Sequence, residues 1–193
     1  RSYAACGAFV LSLAFAVSAA PSAQSAEVSG ACLWEVLPSA IQDRAIIDYA
    51  KGGSAAVSAL SAKVDLEMIM PCIIMPSNSA EARQLGEQTG LLKSAVMTER
   101  ASQEYLATHG YPLLVLDEAW RQLGAADREQ VRAVATAAVK RIEPDVSAVA
   151  KVLLRAADLA GRPVDLAGAE APKLSAFSEY FLSRAIREAV EAQ

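Results

Sequence analysis

Residues 31–76 read ACLWEVLPSAIQDRAIIDYAKGGSAAVSALSAKVDLEMIMPCIIMP and contain two of the three cysteines, Cys32 and Cys72. In an oxidising compartment such a pair favours a disulfide. The bond would close a loop of about 40 residues and stabilise the folded chain by roughly 4 kcal/mol in the chain-entropy treatment. It would also hold the N-terminal part of the domain, which otherwise frays. The alternative is a pair of buried free thiols that pack as small hydrophobic side chains.

The sequence upstream of this segment has the features of a secretory leader. Arg1 is the only charged residue before Glu27, and residues 8–17 (AFVLSLAFAV) are apolar apart from one serine. A charge, a short apolar run and then small residues is the order typical of a signal peptide. The run is too short to span a membrane, which takes about 20 residues. We predict that residues 1–25 are a signal peptide and that residues 26–193 form a single all-helical domain.

Two other interpretations of the N-terminal segment remain open. Cys32 follows small residues, as a lipid-accepting cysteine does, although it lies well past the apolar run. The leader could instead form a buried or interfacial first helix. Under the preferred signal-peptide interpretation we expect a periplasmic or secreted protein of a Gram-negative bacterium. No transmembrane segment is expected after cleavage.

The composition indicates a domain with a sizeable core and an acidic balance. Hydrophobic residues make up 53% of the sequence, and 22 acidic residues against 18 basic ones give a net charge of −4. An acidic protein repels phosphate backbones, so we expect no nucleic-acid partner.

Apolar residues recur at helical spacing along nearly the whole chain, which predicts an all-α, compact bundle of about six helices. The first helix is predicted to begin at Pro38 and to end at Gly52-Gly53, and a shorter helix should begin at Ser54. A further short helical segment is expected to stop at Pro71.

The longest helix is predicted to begin at Asn78 and to end at His109-Gly110, which makes it the central helix of the bundle. Its apolar seam contains Glu99, and the seam also includes Leu85, Thr89, Leu92, Val96, Gln103 and Leu106. A separate stripe of small residues would let another helix approach closely; it consists of Ala82, Gly86, Gly90 and Ser94.

Four more helical patterns follow, with Gly or Pro between them. They cover Pro112 to Gly124, Asp127 to Pro144, Pro144 to Gly161, and a last helix from Pro172, with a loop at 161–172. The pattern W-x-x-L-x-x-A occurs at both Trp34 and Trp120, so a weak internal duplication is one explanation and coincidence is the other. The two tryptophans are interpreted as core anchors, with a ligand cleft between two halves as the alternative.

Recognisable catalytic motifs are scarce. His109 is the only histidine, and the sequence has no GxSxG, no phosphate-binding glycine loop and no paired His ligands. Glu99 on the helix seam is a candidate general acid if it faces the core, or else a carboxylate paired with a nearby Arg. Asp117 and Glu118 beside Trp120 could line a sugar or cation pocket, or could be ordinary acids in a first helical turn.

The segment from Met68 to Met75 is almost entirely apolar, and we predict a buried connection there. Its methionines suggest a Cu(I) site, because thioether ligands suit that ion. Cys72 cannot ligate if it is in a disulfide, and methionine commonly fills irregular core gaps, so core packing is the preferred interpretation. The copper alternative would use Met68, Met70 and Met75, with Met97 or His109 as a fourth ligand.

The sequence therefore predicts a non-catalytic helical module that binds a partner protein or a small apolar ligand, with no cofactor and no metal site. The first alternative is a carboxylate-type hydrolase acting on cell-wall or sugar material. The second is a Cu(I)-handling protein. The identity of the ligand or partner and the oligomeric state do not follow from the sequence.

Overall fold

A computed structural model describes residues 27–74, 79–140, 146–161 and 171–192, and within them the all-α prediction is confirmed. The predicted leader, Met75, Asn78 and most of the 161–172 loop lie outside the described residues. In chain order the elements are β1 (Glu27–Val28), α1 (Gly30–Glu35), α2 (Ser39–Ser61), α3 (Leu66–Ile69), a 3-10 turn (Met70–Cys72), β2 (Ile73–Ile74), α4 (Ser79–Thr108), α5 (Leu113–Gln122), α6 (Ala125–Val139), α7 (Val146–Leu159) and α8 (Ala171–Glu191).

The long helix α4 is central, as predicted. Helices α2 and α8 both pack along it but contact each other only slightly, while α6 covers α8 and α7 packs against α5, α6 and α8. The largest core side chains come from α8, where Phe177, Tyr180 and Phe181 are almost completely buried. Trp120 of α5 stacks on Phe181 with ring centroids 5.6 Å apart, so α5 is anchored to α8 by an aromatic pair.

Helix α2 changes direction at Gly53, close to the predicted helix end. Gly53 has φ +61° and ψ −155°, whereas the residues on both sides are helical. Glycine adopts this left-handed backbone readily, while other residues adopt it at a cost. The chain therefore forms two helical segments joined directly at Gly53, without an intervening loop.

The predicted disulfide is confirmed: Cys32 and Cys72 are bonded, with their Cα atoms 5.6 Å apart. Beside it β1 pairs antiparallel with β2, in a register that places Glu27 opposite Ile74. The bond and this short ladder tie the N-terminal segment to the 3-10 turn and β2. The arc from Cys32 to Cys72 is a brace for the N-terminal part of the bundle.

Residues 68–74, the described part of the Met68–Met75 segment, are not the buried connection that the composition predicts. Ile69 and Cys72 are buried, but Met68 is 37% exposed, Met70 39% and Ile74 41%. The reason is geometric, because one turn of helix followed by a 3-10 turn at the surface can direct only one side of the segment inward.

The small-residue stripe of α4 also differs from the prediction. Gly86 and Gly90 are exposed, and a Cβ added to either would meet none of the described atoms within 4 Å. No described helix packs closely on these two glycines, so that prediction is wrong for them. Only the C-terminal member, Ser94, faces neighbouring helices, in the cleft described below.

Trp34 is partly buried against the core and Trp120 is buried. They lie in helices of different length, α1 and α5. The internal duplication stays a prediction. None of the helices in the described ranges is both long enough and apolar enough to cross a membrane.

Candidate functional site

A cleft lies where α2 and α8 diverge over α4. Its volume is about 370 Å³. Helix α4 forms the floor, the second segment of α2 forms one wall, and α8 forms the other. The lining is mainly apolar, with several hydroxyl groups and one carboxylate, and comprises Ser54, Ala55, Ser58, Leu91, Ser94, Ala95, Thr98, Glu179, Leu182, Ser183 and Ile186.

The carboxylate of Glu179 is the distinctive group of the cleft. Its Oε1 accepts hydrogen bonds from Ser54 Oγ at 2.7 Å and from Ser175 Oγ at 3.4 Å. Its Oε2 is buried and accepts no well-aligned hydrogen bond, although the Tyr49 phenol lies close enough to the carboxylate to interact with it as a donor. Among the described side chains Thr89 Oγ1 is in the same condition, but Thr89 does not line the cleft. The serine hydroxyls and the phenol are neutral and leave the carboxylate charge uncompensated, so the cleft favours a ligand that supplies a further donor.

The turn at Gly53 helps to position this group. A Cβ at Gly53 would lie 3.4 Å from Glu179 Oε1, and the next residue, Ser54, donates a hydrogen bond to that oxygen. From the sequence, Ser54 was expected to cap the second segment of α2. In the structure its hydroxyl instead joins α2 to α8.

Tyr49 lies on the inner side of the same region, and its ring meets that of Tyr105 edge to face at 5.8 Å. Burial raises the pKa of the Tyr49 phenol, and a hydrogen bond to the Glu179 carboxylate together with its negative charge raises that pKa further. The phenol therefore stays neutral and carries no charge that would compensate Glu179.

No basic side chain lines the described cleft. The two arginines on the same helix are engaged elsewhere, since Arg184 pairs with Asp117 and Arg187 with Glu99. The cleft is consequently a site of negative charge with apolar walls.

Glu99, the candidate general acid, is buried on the α4 seam but does not line the cleft. Its two oxygens accept from Arg187 Nε at 2.7 Å and from Arg187 Nη2 at 3.1 Å. The hydrogen bonds to Glu99 raise the pKa of the Arg187 guanidinium. This bidentate pair favours the interpretation of Glu99 as a carboxylate paired with an Arg.

Asp117, Glu118 and Trp120 are not brought together into an acidic pocket. Asp117 Oδ1 accepts from Arg184 Nη1 at 2.5 Å, whereas Glu118 is 44% exposed and pairs with Arg121 of its own helix. Trp120 is buried against Phe181, and the Arg184 guanidinium carbon lies 5.7 Å from its ring centroid. The aromatic ring thus meets a cation, but that cation belongs to the protein.

The described methionines of the copper hypothesis differ widely in solvent exposure. Met68 and Met70 reach solvent, Met97 is buried in the core, and Cys72 is committed to the disulfide. His109 Nδ1 lies 2.7 Å from the carbonyl oxygen of Tyr105. The described residues contain no cluster of three His, Cys, Asp or Glu side chains able to hold a metal ion.

A second, larger cleft of about 570 Å³ lies between α6 and α8. Its charged lining includes Arg132 and Glu188, which pair with each other at 3.5 Å. Because it offers no buried group without a partner among the described residues, it is the weaker candidate.

Glu179 belongs to no motif that marks it as a functional residue in the sequence. A usable signal was the spacing of polar residues on otherwise apolar helix faces, with Ser54 and Ser58 four apart on α2 and Glu179 and Ser183 four apart on α8. That spacing identifies a polar face on each helix, but it does not show that the two faces line the same cleft. Comparisons with protein-family models, curated proteins and solved structures found no match to this chain.

Proposed function

We propose that the protein is an exported, non-catalytic binding module that takes a small, largely apolar ligand in the cleft between α2, α4 and α8. The observation that carries this proposal is the Glu179 carboxylate, which meets no cation in the mainly apolar lining that the described residues give this cleft. Ligand sites combine apolar walls with a few placed polar groups, and this cleft has that composition.

The dimensions favour a small molecule over a protein partner as the occupant. A volume of about 370 Å³ lies near the lower end of the roughly 300–1,000 Å³ range of small-molecule sites. The hydroxyls of Ser58, Ser94 and Ser183 line this one concavity and do not form an extended surface.

The chemistry of the cleft favours binding over hydrolysis. Carboxylate-type glycoside hydrolysis ordinarily uses two acids that flank the reacting bond. Among the described lining residues Glu179 is the single acid. Glu99 and Asp117 are each held by an arginine elsewhere.

Export is supported by the leader pattern of residues 1–25 together with the disulfide, because disulfides persist in oxidising compartments. Expressed behind an initiating methionine in a Gram-negative host, the chain is expected in the periplasm with a mature N-terminus at Ala26. Intact-mass measurement with and without thiol alkylation checks this. A cytosolic chain that retains its leader and has two alkylatable mature cysteines would contradict export.

The ligand site is tested by partially filling the cleft with Ser94→Phe, since Ser94 lies on its floor. We expect 1-hexanol to shift the backbone amide NMR signals of residues lining the cleft in the unmodified protein. The added ring should weaken this binding at least tenfold, because it occupies the ligand volume.

The matched control is Ala107→Phe, which adds the same ring to an exposed position of α4 outside the cleft. It should leave 1-hexanol binding unchanged. Circular dichroism confirms that each variant is folded. Absence of localised shifts in the unmodified protein, or equal binding by a folded Ser94→Phe variant, contradicts the proposed site.

A further inference from the structure

We infer that the natural ligand of this cleft carries a protonated amine, which binds Glu179, and an apolar body. This inference rests on the proposed function and specifies the ligand class. The hydrophobic part would lie against the aliphatic side chains of the walls and floor, Leu91, Leu182 and Ile186.

The hydrogen-bonding pattern selects a donor. Glu179 Oε1 already accepts from two serine hydroxyls, whereas Oε2 accepts no well-aligned hydrogen bond, and the neutral Tyr49 phenol is the further donor beside the carboxylate. An ammonium group has three donors and no acceptor. One N–H can serve Oε2, and the others can be shared by hydroxyl oxygens in the same lining, such as those of Ser58 and Ser183.

The charge selects an ammonium over a neutral donor. Any donor to an ionised carboxylate makes a charge-assisted hydrogen bond, but only an ammonium adds the Coulombic attraction between opposite charges. The described lining supplies no cation of its own, and the arginines of α8 are paired on other faces. A carboxylate ligand would meet an uncompensated negative charge, and an alcohol could provide only one uncharged donor.

The test compares three probes with the same apolar chain, namely hexylammonium, 1-hexanol and hexanoate. Each is titrated by NMR at neutral pH and low salt into the mature protein. Hexylammonium is expected to bind at least tenfold more tightly than 1-hexanol, and hexanoate more weakly than both. In Glu179→Gln the preference for hexylammonium over 1-hexanol should disappear, while 1-hexanol binding stays within about twofold.

Glutamine keeps an oxygen that can accept from Ser54, so the contact between α2 and α8 is preserved. The matched control is Glu188→Gln, which removes one negative charge from the same helix outside this cleft. It should retain the full preference, because a general attraction of amines to an acidic protein would respond equally to either substitution.

The outcomes distinguish failure of the amine inference from failure of the proposed binding function. If 1-hexanol binds in the cleft and hexylammonium binds no more tightly, the amine inference is overturned and the binding function stands. A preference that survives Glu179→Gln, or that Glu188→Gln removes equally, also overturns it. If none of the three probes binds in the cleft, the proposed function is overturned together with the inference.

Discussion

Replacing Cys32 and Cys72 together with serine is expected to lower the free energy of unfolding by about 4 kcal/mol. The two cysteines are separated by 40 residues, so the bond removes considerable loop entropy from the unfolded chain. In the folded state the strand pairing beside the bond is short, since β1 and β2 pair over only two residues each, and packing of α1 on α4 holds the rest of the segment. Denaturant unfolding of the mature protein and the double variant measures the difference.

Reduction provides the matched control for this prediction. A reductant should destabilise the unmodified protein by a similar amount and leave the double-serine variant unaffected. Hydrogen exchange should also show faster opening of residues 27–35 in the variant, because the brace holds this segment. A loss below about 1 kcal/mol would show that packing of the segment, and not the bond, supplies its stability.

The helices and the brace were predictable because their signals are local. Prolines and glycines mark helix ends within a few residues, and the pattern around Pro112 locates the start of α5. The disulfide followed from two cysteines combined with an oxidising compartment. The burial of Leu92 and Leu106 followed from helical spacing alone.

The cleft was not predictable because it depends on tertiary contact. Ser54 and Glu179 are separated by 125 residues, and no local pattern shows that α2 and α8 diverge over α4. The exposed Met68 and Met70 also show that local sequence does not determine tertiary position. Their apolar composition indicates burial, but the position of the short turn at the surface of the bundle decides it.

Glu99 is a residue whose position in its helix could be predicted from the sequence but whose partner could not. Its place on the seam of α4 was compatible with a carboxylate facing the core and with one paired with a nearby Arg, and in the structure it is both buried and paired. Its partner, Arg187, lies 88 residues away on α8, beyond the reach of a local pattern. The same arginine pairs with Glu191, which accepts a hydrogen bond from the Gly30 backbone N–H at 2.8 Å. Glu99 is therefore the inner end of a polar network that reaches the braced segment.

Replacing Glu99 with alanine is expected to lower the free energy of unfolding by about 2–3 kcal/mol, because it leaves the Arg187 guanidinium partly buried without its main partner. The loss should be below the 3–5 kcal/mol typical of fully buried pairs, since the Arg187 side chain is 25% exposed and keeps Glu191. Glu104→Ala, at an exposed position of the same helix, should change stability by at most about 0.5 kcal/mol.

A double-mutant cycle separates the ion pair from the packing of the two side chains. Glu99→Ala and Arg187→Ala together should cost less than the sum of the single changes, with a coupling of about 1–3 kcal/mol. Additive losses would show that each side chain contributes by packing alone. Screening by salt is not expected to remove the coupling, because the Glu99 side chain is only 10% exposed. A measured coupling therefore reports directly on the link between α4 and α8, the two helices that form the floor and one wall of the cleft.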